Sequence, residues 1–491
     1  MWLADNRKPA FEESRPDVSS SLDPADWSAF RQLAHQMLDD VITHVETIRQ
    51  NPVWQPQPPE NRAYFRQNLP AGPRDLGAVL DDIRAHVMPY ATGNLHPLFM
   101  GWVHGAGTPV GMVAEMIAAG LNMNCGGRNH VGIDIERQVV RWMREAMGYP
   151  ETAGGLFVTG SSMANFMAVT IAKTAALGLE SRRNGLRAAD RDLVAYTSAE
   201  AHGCIAQAMQ LSGIGSANLR LVPVDAAGRM MPSALRMMIA EDRAEGRLPF
   251  LAVATAGTVN TGAIDPLSEI AEISARENLW YHVDGAIGAI AMLSDEMRPL
   301  FAGIEKSCSV ALDFHKWGQV PYDAGFLLVR DGEAQRHTFD QPAAYLQRTK
   351  RGLAAGDTWP CDLGPDLSRG LRALKTWMTI EALGTERIGM SIAHTCRLAR
   401  HLASRLDAHP LFEVKAPVVL NIVCFGIRGG GSDLVRTLVT DLQEQGLAAP
   451  SWTMIDGELV VRCAIVNHRT TQADLEGFVD VMAAYLRGCG F

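Results

Sequence analysis

The sequence predicts an α/β protein with a mostly parallel, seven-stranded sheet, followed by a smaller α+β domain. Three observations predict it. Between residues 86 and 385, seven short runs are almost continuously apolar, as strands covered on both faces are. These runs alternate with helical segments, which argues for parallel strands joined by right-handed crossovers. Beyond residue 386 the pattern changes to strand-like runs at 418–425 and 458–465 set between helices.

Residues 1–85 read as a separate leader. A helix is expected over 26–49, where Phe30, Leu33, Met37, Val41 and Ile42 recur at helical spacing. The Pro-rich stretch 52–73 has no steady period and reads as an extended arm that wraps over something, a partner subunit being one candidate. Strands are expected at 155–158, 192–197, 219–223, 250–255, 279–284, 309–312 and 325–329. In the C-terminal part, 386–491, a helix is expected over 387–406. The last helix is the clearest, with Leu475, Phe478, Val479, Met482, Tyr485 and Leu486 on one face and a Thr471/Asp474 capping box at its start. The glycines between Gly426 and Ser432 read as a turn into a helix rather than as a phosphate loop.

The chain has 491 residues, a net charge of −9 and no basic block, which argues against nucleic acid as a partner. No apolar run reaches the roughly 18 residues that span a bilayer, so no membrane partner is expected. The opening, Met1 to Asn6, lacks the basic-then-apolar pattern of a secretory signal. Eight cysteines are scattered without CxxC pairing, which suits reduced thiols in a cytoplasmic protein. No His-Glu-x-x-His and no compact Cys/His set is present, so no metal is expected.

Five expected strand ends carry chemistry. Lys316 lies in Asp313-Phe314-His315-Lys316-Trp317, after one apolar run, and Asp284 ends another, Leu279-Trp280-Tyr281-His282-Val283-Asp284. A lysine that attaches an aldehyde covalently, with a carboxylate that keeps a pyridine nitrogen protonated, suits pyridoxal 5′-phosphate. Gly160-Ser161-Ser162 forms a small-residue turn between a strand and a helix, where free N–H groups and hydroxyls favour an anion. His202 follows a strand and could stack on an aromatic ring. Thr258 follows another, in Thr255-Ala256-Gly257-Thr258. Each feature alone is commonplace: a surface lysine, a strand-end aspartate, a serine cap, a structural histidine, a small-residue turn. Ligands of open α/β sheets bind outside the carboxyl ends of the strands, and all five sit there.

With these motifs in hand, the chain resembles the group II pyridoxal-phosphate-dependent amino-acid decarboxylases, the fold-type-I (aspartate aminotransferase-like) family that includes aromatic-L-amino-acid and glutamate decarboxylases. The resemblance covers roughly residues 75 to 485. It rests on His282-Val283-Asp284-Gly285-Ala286, His315-Lys316-Trp317, Ala201-His202 and the turn 160–165. It implies that Lys316 attaches the cofactor, Asp284 partners the ring nitrogen, Ala286 lies under the ring and His202 stacks on it. Ser161 and Ser162 fall on phosphate-binding positions, Thr258 lies beside the cofactor, and His315 contacts cofactor or substrate. Ala343-Ala344-Tyr345-Leu346 resembles the family's mobile catalytic loop, whose tyrosine returns a proton after CO2 leaves. Gly203, Val259 and Asp313-Phe314 depart from the family's common Ser, Thr and Asn-Pro.

The resemblance implies a homodimeric decarboxylase of an L-amino acid, with residues 1–85 at the interface and residues 125–130 supplied to the neighbour's site. Phe99, Trp102 and His104 suggest an aromatic-lined pocket and hence an aromatic substrate. Acidic or diamino acids are the alternative substrates, and oxidative deamination to an aldehyde is the alternative outcome. A catalytically silent binding protein on the same fold is the alternative of a different class. Intact Lys316, Asp284 and His202 argue against it.

Overall fold

A computed structural model describes residues 21–341, 346–356 and 358–491. By contact the chain divides into two units. One comprises Met1–Ile48 with Pro58–Pro89, and the other Arg49–Gln57 with Tyr90–Phe491.

In the first unit the helix Trp27–Glu46 starts at Asp26, whose carboxylate accepts the N–H groups of Ser28 and Ala29, satisfying donors that a helix start leaves orphaned. No residue of this helix is buried, and Trp27, Phe30 and Ile42 stay exposed. The stretch expected to be extended holds a short helix, Pro59–Tyr64. Proline at the first helical position costs no hydrogen bond, so Pro59 starts the helix instead of preventing it. Tyr64 then stacks on His86, with ring centroids 4.0 Å apart.

The second unit is built on the seven-stranded sheet. Its strands are β1 (Gly154–Val158), β2 (Leu193–Ser198), β3 (Leu219–Val222), β4 (Leu248–Thr255), β5 (Trp280–Asp284), β6 (Ser309–Asp313) and β7 (Gly325–Val329). The order is β1-β7-β6-β5-β4-β2-β3. Only β7 runs against the others. β1, β2, β4, β5 and β6 therefore point their carboxyl ends at one edge. The register makes this literal: Thr255 pairs with Asp284 and Asp284 with Ala311. The strands are Val-, Leu-, Ala- and Phe-rich and almost wholly buried, which is why they read as continuous apolar runs.

A β-carbon on Gly325 would lie 2.3 Å from the Cα of Gly160. That glycine pair lets β7 start directly beneath the turn that leads from β1 into the helix Ser161–Leu177. Any side chain at Gly325 would push the turn off the sheet edge.

The second sheet is antiparallel, in the order β10-β11-β9-β8, with β8 (Phe412–Val414), β9 (Ile422–Ile427), β10 (Ser451–Ile455) and β11 (Glu458–Ala464). It packs with the helices Ser432–Glu444 and Gln472–Gly488 around Phe412, Phe425, Leu438, Val461, Phe478 and Met482. The capping box expected at Thr471 and Asp474 is present. The helix expected over 387–406 is the second part of a longer element, Arg372–Asp407, broken at Gly384, whose φ is +72°. The strands at 412–414 and 451–455 were not expected. No single described helix is long and apolar enough to cross a membrane.

Candidate active site

The turn after β6 delivers Lys316. Its Nζ lies 2.7 Å from Asp313 Oδ2, on the strand's last residue. Asp313 is 2% exposed, and it also accepts the N–H and the hydroxyl of Ser161, each at 2.7 Å. The start of the helix Ser161–Leu177 is thus tied to the lysine turn through one carboxylate. Ser162, the next residue, is exposed.

His315 is buried. Its Nδ1 accepts the Ala324 N–H at 3.0 Å, and its ring lies 4.4 Å from that of Tyr322. Burial lowers its pKa, against the pull of Asp313, so the neutral ring carries its proton on Nε2. A β-carbon on Gly105 would lie 2.3 Å from the His315 carbonyl oxygen. That glycine lets the segment bearing His104 pass directly over the lysine turn.

Asp284 ends β5 and is 3% exposed. Burial raises its pKa; the Lys316 charge, the Ala286 N–H and His202 oppose the rise. The Ala286 N–H donates to its Oδ1 at 3.2 Å. Among the described residues no lysine or arginine comes within ion-pair distance of it. A buried carboxylate in this state gains from any cation brought to it. Behind it runs a buried polar chain. Cys204 Sγ lies 3.9 Å from Asp284 Oδ2, Asn165 Nδ2 donates to Cys204 Sγ at 3.2 Å, and His282 Nε2 meets Asn165 Oδ1 at 2.7 Å. Burial drives the His282 pKa down to about 3.

His202 follows β2 and is exposed, with its Nδ1 accepting the Cys204 N–H at 3.2 Å. Thr258 is fully buried, and its hydroxyl is taken up within its own turn by Thr261 and by the Ala263 N–H, both at 3.1 Å. Its hydroxyl faces its own loop. Phe99, Trp102 and His104 form one aromatic group, with His104 5.6 Å from Phe99 and 5.8 Å from Trp102. A β-carbon on Gly105, next to His104, would lie 2.4 Å from the Lys316 carbonyl oxygen, so this group adjoins the lysine turn; burial, and then the Lys316 charge, lower the His104 pKa. Tyr322 meets His104 edge-on at 6.2 Å and joins it to His315. Tyr345 lies outside the described residues.

Sequence reasoning missed Asp313 and Tyr322 as parts of this site. A carboxylate three residues before the lysine and an aromatic six after it were visible, but Ser161 and His104, which they also meet, lie far off in the chain.

The family model described as the pyridoxal-dependent decarboxylase conserved domain matches residues 58–428. The chain belongs to that family. It is a pyridoxal-phosphate-dependent carboxy-lyase. Among relatives, it is 31% identical over 462 residues to an aromatic-L-amino-acid decarboxylase of Bacillus atrophaeus, covering 91% of this chain and 93% of that one. It is 27% identical to a phenylacetaldehyde synthase of Arabidopsis thaliana, covering 90% and 93%. In fold it is similar to Oryza sativa TDC solved with PLP and tryptamine, with a TM-score of 0.87, 23% identity and coverage of 94% and 99%.

The residues fit the cofactor. Asp284 is a buried carboxylate with no ion-pair partner among the described residues, Ser162 lies at a helix N-terminus at the sheet edge, His202 presents an exposed ring, and Lys316 supplies an amine at the same edge.

Proposed function

We propose that this protein decarboxylates an aromatic L-amino acid to its amine, in a site built on Lys316, Asp284 and His202. The observation that carries the reading is Asp284, a buried carboxylate with a raised pKa and no ion-pair partner among the described residues, at the same sheet edge as Lys316.

When bound, pyridoxal phosphate supplies a conjugated pyridinium that draws electron density from the substrate's Cα as CO2 leaves. Lys316 Nζ would hold the cofactor through its aldehyde carbon. Asp284 would keep a proton on the ring nitrogen. The N–H and hydroxyl of Ser162 would take the phosphate at the helix N-terminus, whereas those of Ser161, expected for the same task, are held by Asp313 and brace the turn. His202 and Ala286 would hold the cofactor ring between them, and Thr258 would support the loop beside it. His315, with its proton on Nε2, donates toward cofactor or substrate. Tyr345 returns a proton to Cα, a role that rests on the family resemblance alone.

Phe99, Trp102 and His104 beside the lysine support an aromatic substrate, since apolar ring faces bind rings by burial and stacking. The aromatic-L-amino-acid decarboxylase relative supports the same choice. The test is turnover of tryptophan, tyrosine, DOPA, phenylalanine, histidine, glutamate and 2,4-diaminobutyrate in parallel, with products read by mass spectrometry. Aromatic substrates should lead in kcat/KM, and preference for glutamate or diaminobutyrate would overturn the assignment.

We also propose a cytoplasmic homodimer in which residues 125–130 complete the neighbour's site. The exposed Trp27, Phe30 and Ile42 on the first helix support burial against a second chain. Eight cysteines without a disulfide support a reducing compartment. Sedimentation velocity reads the assembly, and an active monomer contradicts it.

A further inference from the structure

Arg462, on β11, is 3% exposed and makes no ion pair among the described residues. Its guanidinium is spent on neutral oxygens. Nε donates to the Val259 carbonyl at 2.9 Å and to that of Asn260 at 3.2 Å, and Nη2 also donates to Val259. Nη1 donates to the Trp102 carbonyl at 2.9 Å and to Ser451 Oγ at 3.3 Å. Burial lowers its pKa from the ordinary arginine value. A charge held in the interior without a counter-ion is costly, so these carbonyls must be held for a reason.

Those carbonyls lie on two different sheets' territory. Val259 and Asn260 follow Thr258 in the turn after β4, at the edge that carries Asp284 and Lys316. Trp102 belongs to a segment hydrogen-bonded to the other sheet. Ala449 N–H donates to the Leu98 carbonyl at 3.0 Å, Met100 N–H to Ala449 at 2.9 Å, and Ala464 N–H to Met100 at 2.8 Å. The Trp102 N–H reaches Ser451 Oγ at 3.4 Å. Trp102 itself has φ +51°, a conformation that a bulky residue adopts only when its surroundings enforce it. Asn260 strengthens the same seam: its Oδ1 accepts the Thr453 hydroxyl at 2.9 Å, and its Nδ2 donates to Glu200, two residues before His202, at 3.1 Å.

We propose that Arg462 is a positioning residue for the substrate side chain: it fixes Trp102 in its left-handed turn and pins the aromatic wall of the four-stranded sheet to the cofactor edge of the seven-stranded sheet. The inference rests on the reading of Phe99, Trp102 and His104 as the pocket. It assigns the distance between wall and cofactor to one buried fork.

Arg462→Lys keeps the charge but replaces the planar fork with a single ammonium. KM should rise roughly tenfold, the scale of losing a charged hydrogen bond. The cofactor's absorbance should be unchanged and kcat within about threefold, since the groups at the reacting carbon are not touched. In a Trp102→Ala background the same substitution should raise KM less than about twofold, because the group it positions is gone. Ser451→Ala, which removes a smaller part of the network, should raise KM in the same direction with an unchanged melting temperature. A wild-type KM in Arg462→Lys, or a defect that persists in full beside Trp102→Ala, overturns the proposal. Where Arg462→Lys does not fold, an unchanged KM in Ser451→Ala overturns it. If the wild type prefers a non-aromatic amino acid, the substrate assignment fails separately, and the same comparison on that substrate still tests Arg462.

Discussion

Lys316 Nζ stands 2.7 Å from Asp313 Oδ2, and the carboxylate that holds it also holds the first N–H and hydroxyl of the helix Ser161–Leu177. One buried side chain thereby fixes the Lys316 amine relative to the turn that opens the helix Ser161–Leu177. Lysine alone, on a flexible stem, would not be so directed.

Removing that acceptor should be expensive. Asp313→Leu leaves an ammonium and two donors without a partner and should cost about 3–5 kcal/mol of stability. Asp313→Asn keeps an acceptor oxygen and should cost less, about 1–3 kcal/mol. Urea unfolding of the cofactor-free proteins measures both. Equal stability of the two variants would mean that Asp313 does not organise this turn.

Asp284→Asn should fold normally and lose at least about 10²-fold in kcat, the scale of removing one preorganised electrostatic group. An amide cannot stabilise a positive charge on the ring nitrogen as a carboxylate does. Steady-state kinetics at saturating cofactor make the comparison. A kcat near the wild-type value would remove Asp284 from the role given to it.

His282 behind Asp284 carries a pH signature. In the fold its imidazole titrates at about 3, whereas in the unfolded chain it titrates near 6.5. Unfolding therefore takes up a proton between those values. The stability contributed by neutral His282 is present above about pH 6.5 and is lost as pH falls toward 3, by up to about 1.4 kcal/mol per pH unit. His282→Gln breaks the bonds to Asn165 and Ser309 but takes up no proton. Its deficit in urea midpoint at pH 7 should narrow by pH 4.5. A deficit that stays constant contradicts a neutral, buried His282.

Much of this fold was legible because buried parallel strands are continuous apolar runs, and the seven strands of the large sheet fall within two residues of the runs read for them. β10 escaped because it alternates, with Trp452 and Met454 exposed on an edge. β8 escaped because three residues carry no period. Pro59–Tyr64 was hidden by the prolines at and before its start. In the site, Lys316, Asp284, His202 and Ser162 were readable as strand-end chemistry. The bond between Asp313 and Ser161 was not, because it joins residues 152 positions apart. Nor was the inward turn of the Thr258 hydroxyl, which depends on Thr261 and Ala263 closing the same loop.

The role proposed for Tyr345 is tested by whether amine or aldehyde forms. A phenol near Cα can return a proton there promptly once CO2 has gone. In Tyr345→Phe the electron pair at Cα persists and dioxygen can take it up. Amino acid, O2 and water then give aldehyde, CO2, ammonia and hydrogen peroxide. The variant should release CO2 while its product shifts from amine to aldehyde and peroxide in air. Amine at the wild-type rate, without peroxide, would show that Tyr345 is not the proton donor.

The most direct measurement is the product balance of the wild-type enzyme on an aromatic L-amino acid, with CO2, amine, aldehyde and peroxide counted in the same vessel. A decarboxylase working through Lys316 and Asp284 should give one CO2 and one amine per substrate consumed, the same under air and nitrogen, with borohydride fixing the cofactor to Lys316. Substrate consumed without CO2, or a cofactor fixed to a different lysine, would contradict it.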